Sequence, residues 1–360
     1  MRIGIDAREL CGRATGVGRY LDGLLAQWSA SERARRHEFV LYTPSPSPAP
    51  LDGRRFASRV VPGPPGTLWE QLRVPRAAAG DHLDVWFAPG YTAPLAIGVP
   101  IVVAVHDLSF VAHPEWFRLR EGIRRRWLTR AAASRAAAIV TISEFSKSEL
   151  MERLHVPAER IHVIPPGIGP AGSATPQAPA SSLRVLYVGS IFNRRHVTDL
   201  IRAFAPIARR HPDASLDIVG DNRTHPYEDL ASTIAGEELQ TQVRLRSYVG
   251  DDDLRGLYAS ARAFAFLSEY EGLGLTPLEA LAAGVPPVLL DTPVARETCG
   301  DAALFVRASD LPATTAALDT LLFDDAVRRR ILAAAPAALA RYDWARAADA
   351  TLAVLESCAA

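Results

Sequence analysis

Lysine is almost missing from this chain of 360 residues: of its 40 Lys and Arg residues, only Lys147 is a lysine. Together with abundant alanine, that bias reads as the mark of a GC-rich genome rather than a functional choice. Cysteine is scarce too. Cys11, Cys299 and Cys358 are odd in number, far apart and without metal-ligand spacing, which argues against a disulfide framework or a zinc site and for a reducing, cytosolic compartment. Net charge is +0, so no global field recruits nucleic acid or an acidic partner. No apolar run approaches the roughly 18–20 residues of a membrane span. The opening MRIGID runs straight into a strand, without the charged and apolar regions of a signal peptide. A protein of this kind meets a membrane only from its surface.

What is present is a globular composition, 48% hydrophobic and 22% charged, long enough for two domains. The centre of the sequence is Glu271-Gly-Leu-Gly-Leu-Thr-Pro-Leu-Glu279, running on to Gly284. The apolar stretch Ala261–Ser268 before it predicts a buried parallel strand, and Gly272 and Gly274 a tight turn. Pro277 suits a first helical turn, Leu278 to Ala283 continue the helix, and Gly284 stops it. Glu271 therefore belongs in a loop at a strand's C-terminal end and Glu279 on the helix that follows. That edge is where open α/β sheets bind ligands, and a helix start favours an anion.

Several other segments have the same strand-then-loop form. Arg2–Asp6 leads through Gly12, Gly16 and Gly18 into an expected helix over Tyr20–Ser29, a phosphate-cradling arrangement in general terms. The third glycine of a dinucleotide fingerprint is replaced by Leu21, and the strand Glu38–Tyr42 does not end in an acid, which disfavours a nicotinamide enzyme. Pro100–Val105 carries His106 and Asp107 at its end. Ser143 can cap a helix after Ala137–Ile142. Leu183–Gly189 is followed by Arg194 and Arg195, a pair suited to phosphate oxygens, and by a helix over Val197–Arg210. Beyond it the text alternates as βα units, with strands over Val243–Arg246 and Pro287–Leu290, a helix around Pro226–Ala235 and another over Asp251–Ser260, and Asp221–His225 is a weak candidate for a base pocket. Trp116–Arg130 sets Trp116, Leu119, Ile123 and Trp127 near one helical face among arginines. That pattern fits either a packed helix with a basic rim or docking on anionic lipid. Short strands over Arg59–Val61 and Val85–Ala88 and a helix near Leu68–Leu72 are the only signals within Thr43–Pro100.

The Glu271–Glu279 segment resembles the E-x7-E motif of retaining GT-B glycosyltransferases of the family 4 type, which include bacterial mannosyl- and rhamnosyltransferases. His106-Asp107-Leu-Ser-Phe with Pro114-Glu-Trp-Phe, Ser143-Glu-Phe-Ser-Lys147 and Gly300-Asp-Ala-Ala resemble the same family. The resemblance runs most closely from Leu183 to Phe305 and is lacking over Thr43–Gly98. It implies an α/β GT-B fold, two Rossmann-like domains with parallel sheets facing across a cleft. The expected divisions are an acceptor-side domain over 1–168, a linker over 169–182, a nucleotide-sugar domain over 183–340, and a final helix over 341–360 crossing back.

The resemblance also implies roles. His106 and Glu271 face the donor sugar as the catalytic pair. Gly16, Gly18, Arg194, Arg195, Gly272, Gly274, Leu275 and Glu279 bind the donor, with Glu279 on the ribose. Arg195 stands where the family commonly has Lys, Ser190 where many members have Arg, and Leu273 where they have Phe. The expected activity is transfer of mannose or a related hexose from a nucleotide-diphosphate sugar to a hydroxyl of a glycan or glycolipid. No D-x-D motif stands beside a strand, so no metal and no cofactor is expected. The expected location is the cytoplasm, with peripheral membrane contact through residues 116–130 left open. A nucleotide-sugar epimerase or phosphorylase of the same fold, and a non-catalytic sugar-nucleotide-binding scaffold, are the alternatives.

Overall fold

Long apolar runs without alternation, such as Val185–Val188, Ala263–Phe266 and Val85–Ala88, are buried on both faces, as strands of a parallel sheet covered by helices must be. The structure is a computed structural model and describes residues 1–12, 15–46, 55–169 and 182–359. Nearly all of the linker expected over 169–182 lies outside these residues. The chain divides into two units, Met1–Gly167 with Tyr342–Ala360, and Ile168–Arg341.

Among the described residues, unit 1 holds seven parallel strands: β1 (Arg2–Asp6), β2 (Glu38–Thr43), β3 (Phe56–Val60), β4 (Val85–Ala88), β5 (Ile101–Ala104), β6 (Ala138–Thr141) and β7 (Ile161–Val163). Their order in the sheet is β3-β2-β1-β4-β5-β6-β7. The order reverses between β1 and β4, where Ile3 lies opposite Val85, and the loops leaving these strands part there to make a crevice at their C-terminal ends. Its helices are α1 (Gly16–Ala30), α2 (Val74–Ala78), α3 (Ser109–Ala112), α4 (Leu119–Arg135) and α5 (Glu144–Leu154).

Unit 2 repeats the plan with β8 (Arg184–Val188), β9 (Ser215–Val219), β10 (Val243–Arg246), β11 (Ala263–Phe266), β12 (Pro287–Leu290) and β13 (Leu304–Val306). The order is β10-β9-β8-β11-β12-β13, so its reversal falls between β8 and β11. The helices are α6 (Val197–Arg210), α7 (Leu230–Gly236), α8 (Asp251–Ser260), α9 (Leu275–Ala282), α10 (Pro293–Cys299), α11 (Leu311–Phe323) and α12 (Asp325–Leu339). α6 shows the packing rule: Val197, Leu200, Ile201 and Phe204 fall on its buried stripe and join the core around Leu186, Ile218 and Phe264.

The last helix, α13 (Trp344–Ala359), belongs to unit 1. Leu352 and Leu355 enter its core, the Trp28 indole donates to the Ala348 carbonyl at 2.9 Å, and Glu356 pairs with Arg33 and, at 2.9 Å, with His37. Trp344 lies where a Cβ on Gly167 would collide with its indole, and a Cβ on Gly23 would come within 2.7 Å of it.

Four expectations shift. α1 starts at Gly16, four residues early, because Thr15 caps it and the two glycines form its first turn rather than a loop. α9 likewise starts at Leu275, ahead of Pro277, which occupies the first turn as expected. A helix foreseen around Pro226–Ala235 is only α7, since residues 221–229 are held in side-chain hydrogen bonds. Trp116 stands in a short turn before α4, and Leu119, Ile123 and Trp127 are 73%, 53% and 63% exposed rather than packed.

Candidate functional site

At the reversal point of unit 2 the loop after β8 meets the loop after β11. Arg195 reaches across it: its Nε donates to Glu271 Oε1 at 2.8 Å and its Nη2 lies 2.7 Å from the same oxygen. Ser268 Oγ donates to that oxygen too, at 2.8 Å. The other carboxylate oxygen, Oε2, has no hydrogen-bond partner among the described residues. Arg195 Nη1 donates to the Ser190 carbonyl at 2.7 Å, which the Tyr187 hydroxyl also reaches at 3.2 Å. The guanidinium lies 4.9 Å from the Phe266 ring centre. Burial opposes its charge, but Glu271 and Tyr187 outweigh burial and hold its pKa above the ordinary arginine value. Burial pushes the Tyr187 phenol up to about 12, with Arg195 pulling the other way.

The neighbouring Arg194 sits 4.4 Å over Phe192, and its carbonyl accepts from Glu269 N at 2.9 Å, joining the two loops. His196, at φ 47°, ends this turn with its ring 3.3 Å from Asp199 and 2.8 Å from Glu269. Gly272 is buried, and Gly274 takes φ 91° at the head of α9, a conformation that suits glycine, so that Leu275 opens the helix. One turn on, Glu279 accepts from the Tyr258 hydroxyl at 3.2 Å. Below Glu271 a pocket of about 300 Å³, partly open to solvent, is lined by Phe266, Ser268, Leu273, Pro277, Thr298 and Cys299. Burial pushes the Cys299 thiol up to about 12, which makes it a packing group rather than a nucleophile.

In unit 1, Thr15 Oγ1 accepts from Gly18 N at 2.9 Å and donates to Glu9 at 2.7 Å. A Cβ on Gly18 would stand 2.6 Å from the Glu9 carbonyl, so only glycine fits, whereas Gly16 has open space around it. From α1, Tyr20 sets its ring edge-on to His106, with 4.7 Å between centres. His106 is buried, and its Nε2 lies 2.7 Å from the Pro89 carbonyl. A carbonyl can only accept, so Nε2 carries the proton and Nδ1 is the acceptor. Burial lowers the pKa of His106, against smaller opposing effects of Pro89 and Asp107. Asp107 does not hold the ring. It accepts from the Tyr91 hydroxyl at 2.7 Å and from Ser109 N and Oγ at 2.8 and 2.6 Å, which fixes the loop.

The structure thus brings Arg195 and Glu271 together and sets Glu279 on the helix that Gly274 starts, while Arg194 turns to Phe192. In unit 1, Gly18 and His106 are linked through α1 and Tyr20. Sequence reasoning missed Ser268, Tyr258, Tyr91 and a buried ionic group in which Arg8 bridges Asp6 and Glu70, with Thr92 donating to Glu70 at 2.6 Å. Only Ser268, three residues before Glu271, carried a local signal. The weak base-pocket candidate Asp221–His225 folds on itself: Asn222 Oδ1 accepts from Thr224, and His225 N donates to Asn193 at 2.5 Å. Among the described residues, no three His, Cys, Asp or Glu side chains are grouped to hold a metal ion, and no helix is long and apolar enough to cross a membrane.

Comparison with known proteins places both halves in one class. Residues 14–171 match the family model described as Glycosyltransferase Family 4, and residues 174–337 match Glycosyl transferases group 1. The O-antigen chain mannosyltransferase B of Escherichia coli is 28% identical over 283 residues, 74% of this chain and 73% of that protein. The GDP-mannose:cellobiosyl-diphosphopolyprenol alpha-mannosyltransferase of Xanthomonas campestris is 29% identical over 252 residues, 69% of this chain and 65% of that protein. Among solved structures, the sucrose-phosphate synthase of Thermosynechococcus elongatus matches with a TM-score of 0.78 at 18% identity, covering 99% of this chain and 98% of that one.

Proposed function

We propose that this chain, a nucleotide-sugar-dependent glycosyltransferase with the GT-B fold, transfers mannose from GDP-mannose to a hydroxyl of a lipid-carried glycan, retaining the anomeric configuration. The names of the Escherichia coli and Xanthomonas campestris relatives support the sugar, the base and the acceptor class. The observation that carries the reading is the Arg195–Glu271–Ser268 cluster at the reversal point of unit 2, with α9 starting beside it. It pairs a cation suited to phosphate with a carboxylate held by one oxygen and available by the other.

Departure of the diphosphate builds negative charge on its oxygens. Arg194 and Arg195, with backbone N–H groups at the starts of α9 (Gly274, Leu275) and α1 (Gly16), stabilise it, while Gly18, whose N–H goes to Thr15, keeps the start of α1 close-packed. Such preorganised electrostatics is commonly the largest catalytic effect. Glu279 accepts from the ribose hydroxyls. Glu271 Oε2 and His106 Nδ1 accept from sugar hydroxyls and steady the ring as its anomeric carbon becomes cationic. The bond from that carbon to the phosphate oxygen breaks, the acceptor oxygen bonds on the same face, and the acceptor proton passes to the departing phosphate. No metal enters this scheme, and turnover in excess chelator tests that part.

The first test is thermal stabilisation by a panel of nucleoside diphosphates and nucleotide sugars, on wild type and Glu279→Ala. GDP and GDP-mannose at a hundred times Kd are expected to stabilise wild type by about 2.7 kcal/mol, and the variant less at the same concentrations. No response to any nucleotide would defeat the reading. The anomeric form of the product, read by NMR, decides retention.

We also propose that the protein works in the cytoplasm and docks peripherally on anionic membrane, through α4. Leu119, Ile123 and Trp127 stand exposed between the exposed Arg120, Arg124 and Arg130. Arg124 donates to Thr67 at 3.2 Å, which brings Leu68, 72% exposed, to the same surface. Apolar side chains ringed by arginines match a headgroup boundary.

A further inference from the structure

The loop after β4 contains a γ-turn of the rare, strained hand. Tyr91 has φ 62°, and Thr92 N donates to the Gly90 carbonyl at 2.7 Å. A bulky residue stays in this region only where its surroundings over-determine it. Here they do. Tyr91 N donates to the Ala104 carbonyl at 2.8 Å, and its hydroxyl donates to Asp107 at 2.7 Å. Its ring meets those of His106 and Phe110 edge-on, at 5.7 and 5.8 Å between centres. On either side of it, Thr92 is tied to the buried Glu70, and Gly90 lies against Val17, whose Cγ1 would be 3.0 Å from a Cβ there. The residue that enters the turn is Pro89, and its carbonyl is the one that His106 Nε2 holds.

We propose that Tyr91 is a positioning residue for His106: the strained turn aims the Pro89 carbonyl at Nε2 and so fixes the tautomer in which Nδ1 accepts a donor-sugar hydroxyl. This rests on the reading of His106 as a sugar contact. A turn free to relax would swing the carbonyl away, and the buried ring would then populate both tautomers. Strain here serves the same end as a carboxylate partner does for other functional histidines, with a backbone carbonyl as the orienting group.

Nitrogen NMR of the histidine-labelled full chain at neutral pH tests it. Wild type is expected to show His106 protonated on Nε2 alone. Tyr91→Val, whose branched side chain resists positive φ, is expected to show both tautomers and a donor kcat/KM lower by about tenfold, the loss of one oriented hydrogen bond. Tyr91→Gly, which takes positive φ freely, is expected to keep the single tautomer without ring or hydroxyl. A wild-type His106 protonated on Nδ1, or a folded Tyr91→Val with an unchanged tautomer, overturns the proposal. If Tyr91→Val does not fold, Tyr91→Ala decides, because it differs from Tyr91→Gly only in resisting positive φ: both tautomers support the proposal and one unchanged tautomer overturns it. Full turnover by His106→Ala would instead remove the sugar-contact reading, and the tautomer result separates the two failures.

Discussion

Glu271 gives one oxygen to Arg195 and Ser268, and under the proposed function the other meets the donor sugar, so its neutral amide counterpart keeps the shape and loses the charge. Glu271→Gln is expected to lower turnover by about 10²–10³-fold, the scale of losing one electrostatic stabiliser, with a small change in donor KM. Arg195→Lys keeps a charge but not the fork that grips Glu271 and Ser190 together, and is expected to lose at least tenfold in kcat/KM. His106 gives a pH signature. Its folded pKa lies below the ordinary 6.5 because burial disfavours the cation. The stability this lends is therefore full above the unfolded value and drains away as pH falls from 6.5 toward the folded value. Donor turnover is expected to hold as pH falls through 6.5, and the acid slope of thermal stability between pH 6.5 and 5 to be shallower in His106→Gln. At this scale the sequence made the titratable members of the proposed site legible, because Glu271, Arg195 and His106 each follow a readable strand and Glu279 lies on the helix after one. It hid Tyr91 and Arg8, because Asp107 lies 16 residues on from the one and Glu70 62 residues on from the other.

Elements were most legible where glycine and proline punctuate them. α6, α8, β4, β10 and β12 fall where their patterns predict, and Gly284, at φ 75°, does close the α9 turn. α1 was not legible at its start: glycines read as loop, and only the Thr15 cap, a three-dimensional fact, makes them helix. The apolar residues of α4 left two readings open, since an amphipathic pattern does not say whether its apolar side meets protein or solvent. For α13 the packing is explicit. Trp344→Ala is expected to cost unit 1 about 2–3 kcal/mol, less than a fully buried tryptophan because Trp344 is half-buried. Glu356 is held below the ordinary carboxylate range chiefly by its hydrogen bond to Arg33, so its contribution is present above that range and lost on acidification through the lowered pKa. Urea titrations from pH 6 to 3 are expected to show a flatter acid limb in Glu356→Gln.

At the scale of the molecule, the membrane proposal makes a directional claim. Vesicles rich in phosphatidylglycerol are expected to float the wild-type protein at low salt and to lose it as salt rises, since each arginine near such a surface contributes about 1 kcal/mol. Replacing Ile123 and Trp127 by Asp should abolish flotation while the donor-induced thermal shift persists. Equal flotation by that variant would remove α4 as the docking element. The two-sheet plan itself was legible from alternating strands and helices. The affiliation of the last helix came from the family resemblance alone, because nothing local in Trp344–Ala359 says which sheet it covers.

That last helix makes unit 2 an insertion within unit 1. A ribosome therefore delivers Met1–Gly167 of one fold, then all of another, and only afterwards the segment that covers Trp28 and the cluster around Leu25 and Phe87. Unit 2 emerges unbroken and can close while the older unit still waits for its final piece. Age in the chain and order of completion are thus reversed. During that interval the nascent protein shows chaperones an uncovered aromatic patch on its first-made half, and a translation arrest near Arg341 would catch it in that state.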